Sequence, residues 1–140
     1  MRNEAFELHQ QLSTDFHSLG RRGAIHILLR RNAALPWFIL VPETDALELY
    51  EVPTPLRREL DQLTDALARF VKSRFVCDKI NIAAIGNIVP QLHVHVIGRR
   101  RDDCCWPQAA WGHVHETRTY SDAELEALQK ALASEILNGQ

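Results

Sequence analysis

Residues 92–97 (LHVHVI) constrain the fold more than any other stretch, because aliphatic residues alternate there with two histidines. Side chains two residues apart along a β-strand point to the same face of the sheet. The alternation therefore predicts a strand that buries its aliphatic side chains on one face and presents His93 and His95 on the other. Gln91 extends this polar row by one position. The row of three hydrogen-bonding side chains is the first candidate site.

Three more short apolar runs predict further strands, at residues 24–29, 37–41 and 80–85. Prolines on both sides of 37–41 give that strand defined ends. A tight connection containing a Gly-Asn pair is expected to join 80–85 to the histidine strand, and residues 47–52 are ambiguous between helix and strand. Because most of the strands follow one another closely, we expect an α+β fold with an antiparallel sheet rather than a doubly wound parallel sheet.

Helical spacing of apolar residues and helix-end signals predict three helices, at residues 4–18, about 54–74 and about 121–137. In the second helix, Thr54 is the predicted N-cap and Pro55 the first helical residue, a position where proline loses no hydrogen bond. In the third helix, Ser121 and Glu124 have the spacing of a capping box.

Composition describes an ordinary globular protein, with 46% hydrophobic and 24% charged residues and a formal net charge of −2. No overall basic field points to a specific nucleic acid. No apolar stretch has the length of a signal peptide or a membrane span, and the three cysteines form no CxxC pair. We therefore expect a cytoplasmic protein with reduced thiols. The arginine run at 99–101 predicts either a local attraction for anions or a solvated strand end.

The string at residues 86–97 (GNIVPQLHVHVI) resembles the signature of the histidine triad, or HIT, family. That signature is His-φ-His-φ-His-φφ, where φ is apolar, after a short glycine-containing loop that carries a polar residue. His93 and His95 match the second and third histidines, whereas Gln91 stands at the position of the first. The apolar positions of the signature match as well.

Flanking residues extend this resemblance along the chain. Residues 36–42 (PWFILVP) look like the family strand that ends in Val-x-Pro, and residues 106–107 (WP) resemble a Trp-Pro pair found after the triad in some members. The resemblance therefore covers about residues 24–112. We expect this segment to be the motif-bearing core of a single HIT-like domain over residues 1–140.

The resemblance implies an α+β fold with about five antiparallel strands and flanking helices, commonly in a homodimer. It also implies a nucleotidyl hydrolase or transferase acting at the α-phosphate of a nucleoside phosphoramidate or dinucleoside polyphosphate. By the family pattern, His93 attacks phosphorus and forms a nucleotidyl-imidazole that water hydrolyses. His95 would bind phosphate oxygens or protonate the leaving group, Asn87 would contact phosphate, and Asn32 would contact ribose. This chemistry calls for no metal or other cofactor.

Two positions depart from the family pattern. Gln91 offers a donor and an acceptor in place of the first triad histidine, so the local geometry is expected to survive, but an amide cannot titrate. Trp37 stands where many family members carry a histidine at the start of a strand. These departures bear on the predicted activity and not on the predicted fold.

Two alternatives to an enzyme remain open from the sequence. His113 and His115 form a second His-x-His pair, and with Glu116 and the first pair they could complete a metal site. Alternatively, the chain binds nucleotides with little or no turnover because Gln91 has replaced a histidine.

Overall fold

One five-stranded antiparallel sheet organises the chain, in spatial order β1-β2-β3-β5-β4. The computed structural model describes residues 6–137. The strands are β1 Phe16–Arg22, β2 Ile25–Arg30, β3 Trp37–Pro42, β4 Lys79–Ala83 and β5 Val94–Arg99. The helices are α1 Gln10–Asp15, α2 Thr54–Arg74 and α3 Asp122–Leu132, with a 3₁₀ turn at Leu49–Glu51 and a π-helical turn at Ala133–Leu137. The predicted α+β class and antiparallel sheet are confirmed.

The sheet separates two hydrophobic cores. Successive side chains of β5 point alternately into one core and into the other. Val94 and Val96 lie in the core between the sheet and helices α2 and α3. His95 is in register with Ile39 of β3 and points to the opposite face, as the sequence predicts. The core on that face includes Leu12 of α1, Trp37 and side chains from the loops around β5. This second face carries the candidate site.

The histidine strand begins two residues later than the alternation predicts. β4 ends at Ala83, which is in register with His95, and the pairing with β3 ends at Val94, so residues before Val94 have no partner on either side. The connection between the strands spans residues 84–93 and turns at Gly86, whose φ of +69° is in the region that favours glycine. His93 therefore belongs to a loop and not to the strand.

The long helix and the C-terminal helix form where the sequence predicts them. The N-cap of α2 is Pro53 rather than Thr54, because the Pro53 carbonyl accepts the first helical hydrogen bond, from the Arg57 amide. The capping box of α3 is confirmed, with reciprocal bonds of 2.9 and 3.1 Å between Ser121 and Glu124. None of the helices within residues 6–137 is long and apolar enough to cross a membrane.

The predicted helix at 4–18 is wrong over most of its length. Only Gln10–Asp15 is helical, and the chain then enters β1 at Phe16. The apolar residues from Leu12 to Leu19 have helical spacing, but pairing with β2 separates them onto the two faces of the sheet. Tertiary pairing has overridden local periodicity here. Residues 4 and 5 lie outside the described residues.

Candidate active site

A cavity of about 780 Å³ opens on the sheet face opposite α2. Its wall combines the end of β2, the start of β3 and β5, helix α1, and the loops after β4 and β5. The side chains in this wall that bear on chemistry are His93, His95, Asn87, Asn32, Arg30, Trp37 and Trp111. Both histidines predicted from the sequence therefore face one space large enough for a small-molecule ligand.

His93 is buried and is held by the backbone next to it. Its Nδ1 lies 2.7 Å from the Gln91 carbonyl oxygen, and since a carbonyl can only accept, Nδ1 carries the proton. The other ring nitrogen, Nε2, then carries the lone pair. Burial lowers the pKa of His93, the Gln91 carbonyl partly opposes this, and the charge of His9 adds to the lowering. The imidazole is therefore neutral near pH 7 and carries a free lone pair.

His95 lies deeper and contacts three aromatic rings. Its ring centroid is 4.8 Å from that of His93, 5.0 Å from Trp111 and 5.8 Å from Trp37. The indole Nε1–H of Trp37 donates to Nδ1 of His95 at 2.9 Å. Burial, together with the charges of His93 and Arg30, lowers the pKa of His95 to about 3. This imidazole is neutral throughout the physiological range.

Gln91 does not join the two histidines in the cavity wall. Its side-chain oxygen accepts from the His9 amide at 2.8 Å, and its side-chain nitrogen donates to the Glu7 carbonyl at 2.9 Å. The amide thus fastens the segment before α1, and it is the backbone carbonyl of Gln91 that contacts His93. The predicted polar row breaks at this point because residue 91 lies in the loop, where the alternation of a strand no longer applies.

The two predicted asparagine contacts differ in their availability. Asn87 is exposed, follows Gly86 and lines the cavity. Asn32 also lines it, but its Nδ2 donates to the Glu116 carbonyl and its Oδ1 accepts from the amides of Ala34 and Arg118. Asn32 therefore fastens the C-terminal segment to the end of β2, whereas Asn87 remains the more accessible polar group.

The comparisons with known proteins agree with this geometry. The HIT domain family model matches residues 5–102, which is more than half of the chain. The chain belongs to the HIT domain family. Comparison with curated proteins gives no match.

Solved structures of other HIT proteins superpose closely on this one. A histidine triad protein from Bradyrhizobium japonicum is 35% identical, with a TM-score of 0.88 over 94% of this chain and 98% of its own. One from Marinobacter aquaeolei is 35% identical, with a TM-score of 0.85 over 94% and 96% of the two chains. One from Sinorhizobium meliloti is 33% identical, with a TM-score of 0.87 over 94% and 98%.

In this HIT domain the second histidine pair does not join the first in the cavity wall. His113 Nδ1 lies 2.8 Å from the Ala109 carbonyl, and neither His113 nor His115 lines the cavity. Within residues 6–137 no three side chains of histidine, cysteine, aspartate or glutamate come together as a metal-binding group. The His-x-His spacing alone could not indicate this, because residue 113 lies in a turn, residue 115 follows that turn, and neither belongs to a strand.

Sequence reasoning missed Arg30, which lies in the cavity wall, and did not foresee the role of Arg99. Arg30 ends β2 half-buried, with its guanidinium carbon 4.3 Å from the ring centroid of Trp37. Burial lowers the pKa of Arg30, and the charge of Asp15 opposes this. Strand alternation predicts that Arg30 shares a face with Leu28, two residues earlier, but only the structure shows that this is the cavity face.

Arg99 is neither a solvated strand end nor a free site for an anion, the two alternatives predicted for the arginine run. Its side chain is 2% exposed and forms a bidentate pair with Asp103, at 2.8 and 3.1 Å. It also donates to the Asn81 side chain at 3.0 Å and to the Gln108 carbonyl at 2.9 Å. Arg99 therefore fixes the loop that brings Trp111 to the cavity.

Proposed function

We propose that the chain acts as a single cytoplasmic domain that binds a nucleoside phosphate in the cavity and cleaves at its α-phosphorus. The observation that carries this proposal is the fixed orientation of His93, whose Nδ1–H is bound to a carbonyl so that Nε2 is left as a nucleophile. Membership of the HIT family supports the nucleotide as substrate.

The reaction proceeds in two displacements. In the first, the Nε2 lone pair of His93 forms a bond to phosphorus while the bond from phosphorus to the leaving group breaks. The product is a nucleotidyl-imidazole. In the second, water attacks the same phosphorus, the P–N bond breaks, and its electron pair returns to Nε2 while a proton from water passes to solvent. A transferase would use another acceptor in place of water.

Charge on the phosphoryl oxygens is stabilised by neutral donors. His95 lies beside His93 and has one ring N–H available to the cavity, and Asn87 offers an amide on the exposed side. Such donors, fixed before the substrate arrives, stabilise charge that develops in the transition state. No step requires a metal ion, and Gln91 contributes through its backbone carbonyl rather than its side chain.

Turnover by the purified protein tests this function. Adenosine and guanosine phosphoramidates and dinucleoside polyphosphates are supplied without added metal, and nucleoside monophosphate release is measured for wild type, His93→Ala and His115→Ala. His115 is exposed and outside the cavity, so its variant is the matched control. We expect release with wild type and the control, and none with His93→Ala. Nucleotide binding without release by wild type would favour a binding protein instead.

We also propose a homodimer that forms through the β4 edge of the sheet. β4 is an edge strand, and large apolar side chains on it and on nearby loops are exposed, including Ile82 at 51% and Ile88 at 91%. An unpaired strand edge beside apolar surface is a common dimer contact. The leucines that recur along α2 were also a candidate dimer contact from the sequence, but Leu60, Leu63 and Leu67 are buried in the chain's own core.

Sedimentation tests the assembly at micromolar concentration. We expect a dimer for wild type and a monomer for Ile82→Lys. Val76→Lys is the matched control, because Val76 is an exposed apolar residue, at 73%, that precedes the strand. A monomeric wild type would contradict the proposed dimer.

A further inference from the structure

The hydrogen bond between Trp37 and His95 decides which nitrogen of His95 carries the proton. An indole nitrogen donates and never accepts, so at 2.9 Å the Nδ1 of His95 must be the acceptor. The proton of the neutral ring is then on Nε2. The two histidines of the site are therefore opposite tautomers, with the lone pair on Nε2 of His93 and the proton on Nε2 of His95.

The indole that fixes this state is itself held rigidly. Trp37 is 4% exposed, and its first position in β3 places it beside β5. The Arg30 guanidinium lies over its ring at 4.3 Å, and Trp111 packs edge-on with ring centroids 5.2 Å apart. Rotation of the indole away from His95 would break both of these contacts.

Protonation of His95 at Nδ1 is opposed by the same geometry. A proton there would meet the indole N–H head-on, and the charged or titratable groups that act on the ring, His93 and Arg30, are both cationic when charged. The imidazolium needed for general acid catalysis is thus inaccessible. His95 can donate a hydrogen bond from Nε2, but a neutral imidazole is too weak an acid to release that proton to a leaving group.

We propose that Trp37 is a positioning residue that holds His95 as a permanent Nε2–H donor, and that the site consequently favours leaving groups that depart unprotonated. A polyphosphate leaves with the electron pair of the broken P–O bond as a stable anion. An amine leaving from a P–N bond must first receive a proton, which His95 does not supply. This inference rests on the proposed function and selects the dinucleoside polyphosphate from the two substrate classes.

The tautomer is measured on the free protein by ring ¹⁵N chemical shifts of the histidines between pH 5 and 8. We expect His95 to show an unprotonated Nδ1 and a protonated Nε2 over the whole range. In Trp37→Phe, which keeps an aromatic ring but removes the N–H, His95 should exchange between its two neutral tautomers, because nothing then fixes Nδ1 as the acceptor. Trp111→Phe is the control for the tautomer, because Trp111 contacts His95 only through its ring. A protonated Nδ1 in wild type would overturn the inference.

Leaving-group preference is measured as kcat for a dinucleoside polyphosphate relative to the matching phosphoramidate. We expect wild type to favour the polyphosphate by about a hundredfold, which is the low end of the effect of a general acid. Trp37→Phe should narrow this ratio by about tenfold. Equal turnover of both substrates by wild type would overturn the inference while leaving the proposed function intact. No turnover of either would contradict the proposed function, and the ¹⁵N shifts would still decide the role of Trp37.

Discussion

Removing the negative charge from the buried pair of Arg99 and Asp103 should destabilise the fold more than removing a charge from a surface ion pair. Besides the bidentate bond to Arg99, the Asp103 carboxylate accepts from the backbone amides of Arg100, Cys105 and Trp106 at 2.8–3.1 Å. Its side chain is 7% exposed. Asp103→Asn removes the negative charge and one acceptor while keeping the shape of the side chain, so Arg99 is left as a buried cation without its counter-ion.

The size of the effect follows from the pKa of Asp103. Burial acts to raise this pKa, but the bonds from Arg99 and the backbone amides outweigh burial and lower it from 3.8 to about 2. That shift corresponds to about 2.5 kcal/mol of stability, and leaving one member of a buried ion pair alone costs roughly 3–5 kcal/mol. We therefore expect Asp103→Asn to lower the free energy of unfolding by about 3 kcal/mol at pH 7.

Urea denaturation of both proteins at several pH values tests this magnitude. Because the folded-state pKa of Asp103 is lowered, its contribution is complete above about pH 4 and is lost as pH falls towards 2, reaching about half at pH 3. The matched control is Asp102→Asn, since Asp102 pairs with Arg100 at the surface, where both side chains are well exposed. Equal unfolding energies for the two variants at pH 7, or a difference that does not change with pH, would refute the reasoning.

Three further predictions concern the site and its support. The turnover rate should fall as pH drops through a midpoint below 6.5, because protonation removes the lone pair of His93, whose pKa is lowered by burial. A pH–rate profile with its midpoint at or above 6.5 would contradict this. Gln91→His should change kcat by less than about threefold, because the Gln91 side chain faces residues 7 and 9 rather than the cavity; a tenfold gain would show that the triad position matters. Gly98→Ala should lower the free energy of unfolding by about 1–3 kcal/mol in thermal or urea denaturation, because its new Cβ would lie 2.5 Å from the Cys77 sulfur. A variant as stable as wild type would contradict this prediction.

The parts of the fold that the sequence predicts are those where local pattern and tertiary environment agree. The alternation around His95 correctly assigned valines and histidine to opposite faces, because β5 lies between two strands and two cores. The capping box at Ser121 needs only residues three positions apart. Both signals are local, and nothing distant competes with them.

The missed features depend on contacts between distant segments. The bond from Trp37 to His95 joins residues 58 positions apart, and that from Gln91 to the His9 amide spans 82. Arg99 looked like a surface residue because its partner Asp103 becomes buried only when the loop after β5 folds back. Composition and spacing carry no information about such pairings, so the roles of these side chains emerged only from the structure.

The most direct test of His93 as the nucleophile is to trap the covalent intermediate. Wild type is mixed with a dinucleoside polyphosphate, quenched in base within the first turnover, where a phosphorus–imidazole bond survives better than in acid, and analysed by peptide mass spectrometry. We expect a nucleoside monophosphate adduct on the peptide that contains His93, located to that residue by fragmentation, and no adduct with His93→Ala. Turnover without any adduct, or an adduct on His95, would contradict the assignment of His93.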